Sequence, residues 1–152
     1  MEFDEFEAQV EVFRAERASR RYPPGFQLFD SWTATRDDIT AVEEELGTEL
    51  PSKYKMFMQV FGGGAFSFVE LLPVKSPDGH TEDLLTVNKG QFAVRNFVAI
   101  APVGTGDWWG FVSENGACQE WVSFLDHEDG AVQLDSADFL EFVSSKGLRI
   151  GR

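Results

Sequence analysis

The segment Ile39–Gly64, ITAVEEELGTELPSKYKMFMQVFGGG, decides how the rest of the chain is read. Ile39, Val42 and Leu46 recur at helical spacing. Thr35 with Asp38 three residues on makes a capping box before them, Asp standing in for the usual Glu. Gly47 suits the left-handed residue that closes such a helix. Pro51 suits a first helical position, where its missing N–H would be unpaired anyway. Tyr54, Phe57, Met58 and Phe61 then give a wide apolar face at i, i+3, i+4 and i+7. Gly62-Gly63-Gly64 stops this second helix and reads as a flexible corner. The segment is thus two short helices about a Gly–Pro corner, with Glu43 placed to support the corner.

Working outward, Phe3, Phe6, Val10 and Phe13 form one helical stripe. Acids crowd its start and Arg14, Arg17, Arg20 and Arg21 its end, as the helix dipole favours. Pro23-Pro24-Gly25 forbids continuation. Beyond Gly64 the pattern turns to strands. Phe66, Phe68 and Leu71 alternate with Ser67 and Glu70, and Ser76-Pro77-Asp78-Gly79 is a strong turn. Leu84 to Lys89 reads as a short helix or an irregular loop. Phe97 to Val103 is an apolar run of the kind a buried strand needs. Trp108 to Val112 and Gln119 to Leu125 are strands joined at Glu114-Asn115-Gly116, where Asn-Gly signals a hairpin. Ala131 to Leu134 is too short to class. Asp135 or Ser136 is placed to cap a last helix carrying Phe139, Leu140 and Val143, closed by Gly147. Helices, then strands, then a helix predict an α+β fold, with an antiparallel-rich sheet flanked by helices and covered on one face.

The 152 residues suffice for one well-filled core, and 43% of them are hydrophobic, with fifteen Phe, which disfavours disorder. One cysteine, Cys118, excludes an internal disulfide framework and fits a reducing compartment. No apolar run reaches the roughly 20 residues that cross a bilayer. The acidic start MEFDEFEAQ lacks the basic and apolar regions of a secretory signal, so a cytoplasmic location is expected. Lys plus Arg number 13 and Asp plus Glu 26, a formal charge of −13. Nucleic acid and anionic membranes are disfavoured as partners, and basic proteins are favoured through long-range steering.

Catalytic and cofactor motifs fail on inspection. After Gly104-Thr105-Gly106 the third glycine of a dinucleotide fingerprint would fall at 109, which is Trp109. The glycines at 62–64 follow a helix, and no Gly-Lys-Ser/Thr follows them, so they are no P-loop. Asp126-His127-Glu128-Asp129-Gly130 has Gly130 and Ala137 where a calcium loop needs ligands. It reads as an exposed charged turn, with only a casual divalent ion on His127 and Glu128 or Asp129 as its metal chemistry. Cys118 beside the Asn-Gly turn reads as a small core or hairpin residue, and nothing singles out a carboxylate pair among the 26 acids. No catalytic residue, metal or cofactor is expected. On a strand, one of Trp108 and Trp109 faces the core and the other faces out, where a Trp among acids is an interface anchor; the alternative is that core or loops cover both.

Taken in order, several motifs resemble the SMI1/KNR4 (SUKH) superfamily. They are Ile39, Val42, Glu43, Leu46, Gly47, Leu50, Pro51, Tyr54, Phe57, Gly62 and Gly63, then Gly106-Asp107-Trp108-Trp109-Gly110-Phe111. Gln119-Glu120-Trp121-Val122 with Asp126-His127-Glu128, and Phe139-Leu140-Phe142-Val143, follow. The likeness runs from about Trp32 to Val143; Phe61 departs from it where many members carry Asn. It divides the chain into an N-terminal helical extension at 1–30, packed on the core, and an SMI1/KNR4-like domain at 31–152.

The resemblance implies an α+β fold and no established catalysis. Bacterial members are mostly immunity proteins that neutralise toxins passed between cells, often nucleases. Fungal members are regulatory interaction modules, which is the alternative function here. The expectation is a cytoplasmic immunity protein that blocks a basic toxin, as a monomer or weak homodimer. Its contact residues are expected among Glu82, Asp83, Asp107, Trp108, Asp126, Glu128 and Asp129.

Overall fold

A computed structural model of the chain describes residues 1–92 and 95–150. The capping box forms as read. Thr35 Oγ1 accepts from the Asp38 N–H at 3.1 Å, and Asp38 Oδ2 accepts from the Thr35 N–H at 3.1 Å. These bonds start α2 (Arg36–Leu46), and Gly47, at φ 67, closes it. Pro51 sits one position earlier than expected, as the N-cap of α3 (Ser52–Val60). Glu43 holds the corner: its Oε2 accepts from the Leu50 N–H at 2.8 Å and from Lys55 Nζ at 3.2 Å. The amphipathic N-terminal stripe forms α1 (Phe3–Arg17), with Phe6, Val10 and Phe13 buried. Phe6 packs 5.8 Å from Phe57 and 6.0 Å from Phe66, centroid to centroid.

The alternating run after Gly64 is two strands. β1 (Gly64–Phe66) and β2 (Val69–Leu71) pair antiparallel about Ser67, which adopts φ 55. Ser-Phe at such a turn carries no Gly or Asn signal, which is why the pattern reads as one strand. The three glycines are a packed seam where a flexible corner was expected. The Gly63 N–H donates to Trp32 O at 3.0 Å and the Trp32 N–H to Gly63 O at 3.2 Å. A Cβ on Gly62 would lie 2.4 Å from the Trp32 carbonyl carbon.

The ambiguous segment is helical, α4 (Leu84–Gln91), capped by Asp83. It precedes β3 (Phe97–Pro102), β4 (Trp108–Glu114), β5 (Ala117–Cys118), β6 (Val122–Leu125) and β7 (Val132–Ser136). The expected strand at 119–125 is therefore shortened to β6, and β5 lies before it. These five make one antiparallel sheet in the order β3-β4-β6-β7, with β5 on β4. Asn115 (φ 53) and Gly116 (φ 80) form the predicted hairpin turn. The helical corner clips onto it: the Glu49 N–H donates to Gly116 O and the Cys118 N–H to Glu49 O, both at 2.8 Å.

The last helix, α5 (Phe139–Lys146), is capped by Asp138, not by Asp135 or Ser136. Those two belong to β7, and Asp135 pairs with Lys146 at 3.3 Å. Burial pushes the Asp138 carboxyl upward. Donors from the Met1 amino group, the Glu141 N–H and Lys53 outweigh it and hold the pKa below the ordinary value. Its contribution to stability is therefore lost as pH falls through that lowered pKa.

The sheet is covered on both faces, where one was expected. Tyr54, Phe139 and Phe142 pack against Phe111 and Trp109 on one side. On the other, Phe92 at the end of α4 packs on Phe97 and Trp108. β3 is accordingly buried on both faces. Tyr54 lies at the centre, with its Oη buried and without a hydrogen-bond partner among the described residues. An unpaired buried hydroxyl is costly, so Tyr54→Phe is expected to raise stability by about 1 kcal/mol. The urea midpoint at unchanged m-value measures this.

Candidate functional site

Asp107, at the entry to β4, ties two loops together. Its Oδ1 accepts from the His127 N–H at 2.9 Å and from His127 Nδ1 at 2.7 Å, and its Oδ2 from Thr105 Oγ1 at 2.6 Å. The Thr105 hydroxyl, then the His127 N–H and ring, hold the Asp107 pKa down at about 2. The same bond raises His127 above its ordinary 6.5. A raised folded-state pKa means that the clamp is fully made below about pH 6.5 and weakens as pH rises through the His127 midpoint. We expect the His127 ring protons to titrate above pH 6.5 by NMR, and at lower pH in Asp107→Asn. An unchanged midpoint in the variant would show that the contact is not formed.

The turn after β6 is shaped by its own acids. Asp126 Oδ1 accepts from the Glu128 N–H and Asp129 Oδ1 from the Ala131 N–H, both at 2.8 Å. Glu128 and Asp129 stay exposed. Asp107, Asp126 and His127 bring one ligand atom each within 4.8 Å of one another, a grouping the sequence reading did not make. These are the residues with the chemistry to hold a cation.

Trp108 and Trp109 do not divide into one buried and one exposed indole. Both are partly buried, Trp108 edge-on to Phe92 at 5.7 Å and Trp109 to Phe142 at 5.3 Å. Trp108 lines a cleft of about 140 Å³ with Phe92, Arg95, Gly106, Leu125 and His127.

Pairing register extends this face outward. Trp108 lies beside Leu125 and Leu125 beside Val132; Gly110 lies beside Ser123 and Ser123 beside Leu134. Val132 is 46% and Leu134 70% exposed, on β7, the outer strand. Trp108, the buried Leu125 and the exposed Val132 thus stand in one row across the sheet, and Val132 with Leu134 makes an exposed apolar patch on its outer strand, close in sequence to the acidic turn of Asp126, Glu128 and Asp129. Val132 and Leu134 were missed because three or four residues cannot be classed from sequence. Their period-2 spacing was the available signal.

Of the seven expected contact residues, five meet here: Asp107, Trp108, Asp126, Glu128 and Asp129. Glu82 and Asp83 stand at the far end of α4, about 12 Å of helix away. Asp83 is occupied within the chain, accepting from the Thr86 N–H at 2.9 Å and the Ser76 N–H at 3.1 Å. Glu82 is exposed.

Among the described residues no helix is long and apolar enough to cross a membrane. A family model described as SMI1-KNR4 cell-wall matches residues 36–143. No curated protein matches the chain.

Proposed function

Because the chain belongs to the SMI1-KNR4 family, we propose that it is an immunity protein, a stoichiometric inhibitor of a basic toxin domain acting in the cytoplasm of a bacterial cell. The observation that carries this is the exposed apolar patch of Val132 and Leu134, in one row with the half-buried Trp108 and next to the acidic turn of Asp126, Glu128 and Asp129. A buried apolar centre with a charged rim is what a protein partner needs. The net charge of −13 steers a cationic partner towards it. On a nuclease, the lysines and arginines that hold phosphates would face this rim, so that binding closes the substrate groove. Inhibition by coverage requires no reaction on the inhibitor, in keeping with the absence of a catalytic motif in the sequence.

The test is co-expression with the toxin domain encoded beside this gene. Cells survive with the wild-type chain. Leu134→Asp weakens binding by roughly 10- to 100-fold. Glu128→Lys with Asp129→Lys slows association roughly tenfold at low salt, and the difference closes as salt is raised. Cell death despite abundant soluble wild-type protein sinks the reading for that toxin.

A further inference from the structure

β7 is the outer strand of the five-stranded sheet, and β6 is its one strand partner among the described residues. Residues 131–134 are exposed, so neither face of the strand is covered there. The turn before it fixes which way its backbone points. The Gly130 N–H donates to Asp126 O and the Asp126 N–H to Ala131 O, both at 2.9 Å, with Gly130 at φ 73. This is a bulge that sets Gly130 and Ala131 together opposite Asp126. Along an antiparallel ladder, residues alternate between bonding to their partner and facing away from it. Leu125 pairs with Val132, Phe124 with Gln133 and Ser123 with Leu134. Gln133 therefore bonds to β6, while Val132 and Leu134 turn their N–H and C=O groups outward.

Four backbone groups thus line an open edge, on two residues whose side chains are also apolar and exposed. Sheets blunt such edges with proline, lysine or a bulge. The far end of β7 is blunted in this way: the register shifts between Val122 and Ser123, and Lys146 holds Asp135 at 3.3 Å. Val132-Gln133-Leu134 has no proline, no charge and no shift in register.

Charge says what fits there. Asp126, Glu128 and Asp129 stand in the turn that leads into the edge. Of the cations nearby, Lys146 is paired with Asp135 and His127 with Asp107. Arg95 is left, its Nη1 3.2 Å from where a Cβ on Gly130 would stand. Three acids against one arginine favour a cationic partner. A second copy would instead bring the same three acids and another −13. Resting on the immunity reading above, we infer that the toxin domain adds a strand of its own to β7. That strand bonds to the N–H and C=O groups of Val132 and Leu134. It is apolar where it lies beside their side chains and carries lysine or arginine where it passes the turn. Main-chain bonds hold such a strand, and its alternate side chains select it.

Amide hydrogen exchange of the full chain, free and saturated with the toxin domain encoded beside this gene, tests this. In the free chain the Val132 and Leu134 amides are expected to exchange quickly and the Gln133 amide slowly. In the complex both outward amides slow at least about tenfold, and so does a toxin segment containing lysine or arginine. A matched pair of variants separates backbone from side chain. Val132→Pro keeps an apolar side chain and removes an N–H that the fold does not use, which an edge strand permits. Val132→Ala keeps the N–H and trims the side chain. With circular dichroism confirming each fold, Val132→Pro is expected to weaken binding at least about tenfold more than Val132→Ala. The opposite order overturns the proposal; if the proline variant does not fold, the exchange data decide. Slow exchange at Val132 or Leu134 in the free chain, from a second copy on the edge or from any other cause, also overturns it. If the wild-type complex forms and those amides still exchange quickly, the added strand is wrong and the immunity reading stands. If the wild-type chain and the toxin form no complex, the immunity reading falls and this inference falls with it.

Discussion

Gly62→Ala is expected to leave no stably folded protein. Gly62 adopts φ 84, and an added Cβ would stand 2.4 Å from the Trp32 carbonyl carbon, 2.5 Å from the Thr33 nitrogen and 2.7 Å from the Trp32 nitrogen. These are backbone atoms, fixed by the paired hydrogen bonds between Trp32 and Gly63. No side chain can swing aside to relieve the overlap, and the left-handed conformation adds about 1–2 kcal/mol. Together the cost should exceed about 4 kcal/mol, a large part of the 5–15 kcal/mol that holds a typical domain. Gly47 is the internal control. It shares a positive φ of 67 but has no atom within 4 Å of its would-be Cβ. Gly47→Ala should cost only the dihedral part, about 1–2 kcal/mol. Thermal melts of the two variants separate packing from dihedral strain. Equal losses would show that the seam is looser than described.

Asn88→Ala should have the next largest effect, about 3 kcal/mol. Asn88 is only 3% exposed and serves as a surrogate strand for β3. Its Oδ1 accepts from the Ala99 N–H at 2.8 Å, while its Nδ2 donates to Ala99 O at 2.9 Å and Leu84 O at 2.8 Å. Ala99 lies where the β3–β4 register shifts, and its side chain is fully buried. Removing the amide strands a donor and an acceptor in the core, each worth roughly 1–3 kcal/mol. Asn88→Leu keeps most of the volume and makes none of these bonds. It should therefore cost as much as Asn88→Ala. If leucine is tolerated, the cost lies in the cavity and not in the unpaired backbone. Amide exchange at Ala99 gives an independent reading, since its protection depends on that single acceptor.

What was legible in the sequence was local chemistry. The Thr35–Asp38 box, the Gly47 stop and the Asn115-Gly116 hairpin each need only a few neighbouring residues, and all three form. Where local cues were degenerate, the reading slipped. Asp135, Ser136 and Asp138 are all good caps within four residues, and what singles out Asp138 is the docking of the distant Met1 amino group and Lys53 on its carboxylate. The seam at Gly62 and Gly63 and the role of Asn88 depend on partners far along the chain, which no window contains. The candidate site shows the same division. Asp126, Glu128, Asp129 and Trp108 were identifiable by type. That they adjoin Val132 and Leu134 follows from strand register across β4, β6 and β7.

The clip between Glu49 and the Gly116–Cys118 turn has a consequence for biosynthesis. The aromatic helices leave the ribosome well before the hairpin that latches them. At ordinary elongation of about 5–20 residues per second, the lag is several seconds. Throughout it Tyr54 lacks its cover of Phe111 and Phe139, and Phe57 that of Phe139. The nascent chain is thus a client for holdase chaperones until its second half arrives, and a ribosome stalled short of Gly116 would carry an adhesive, unfinished protein.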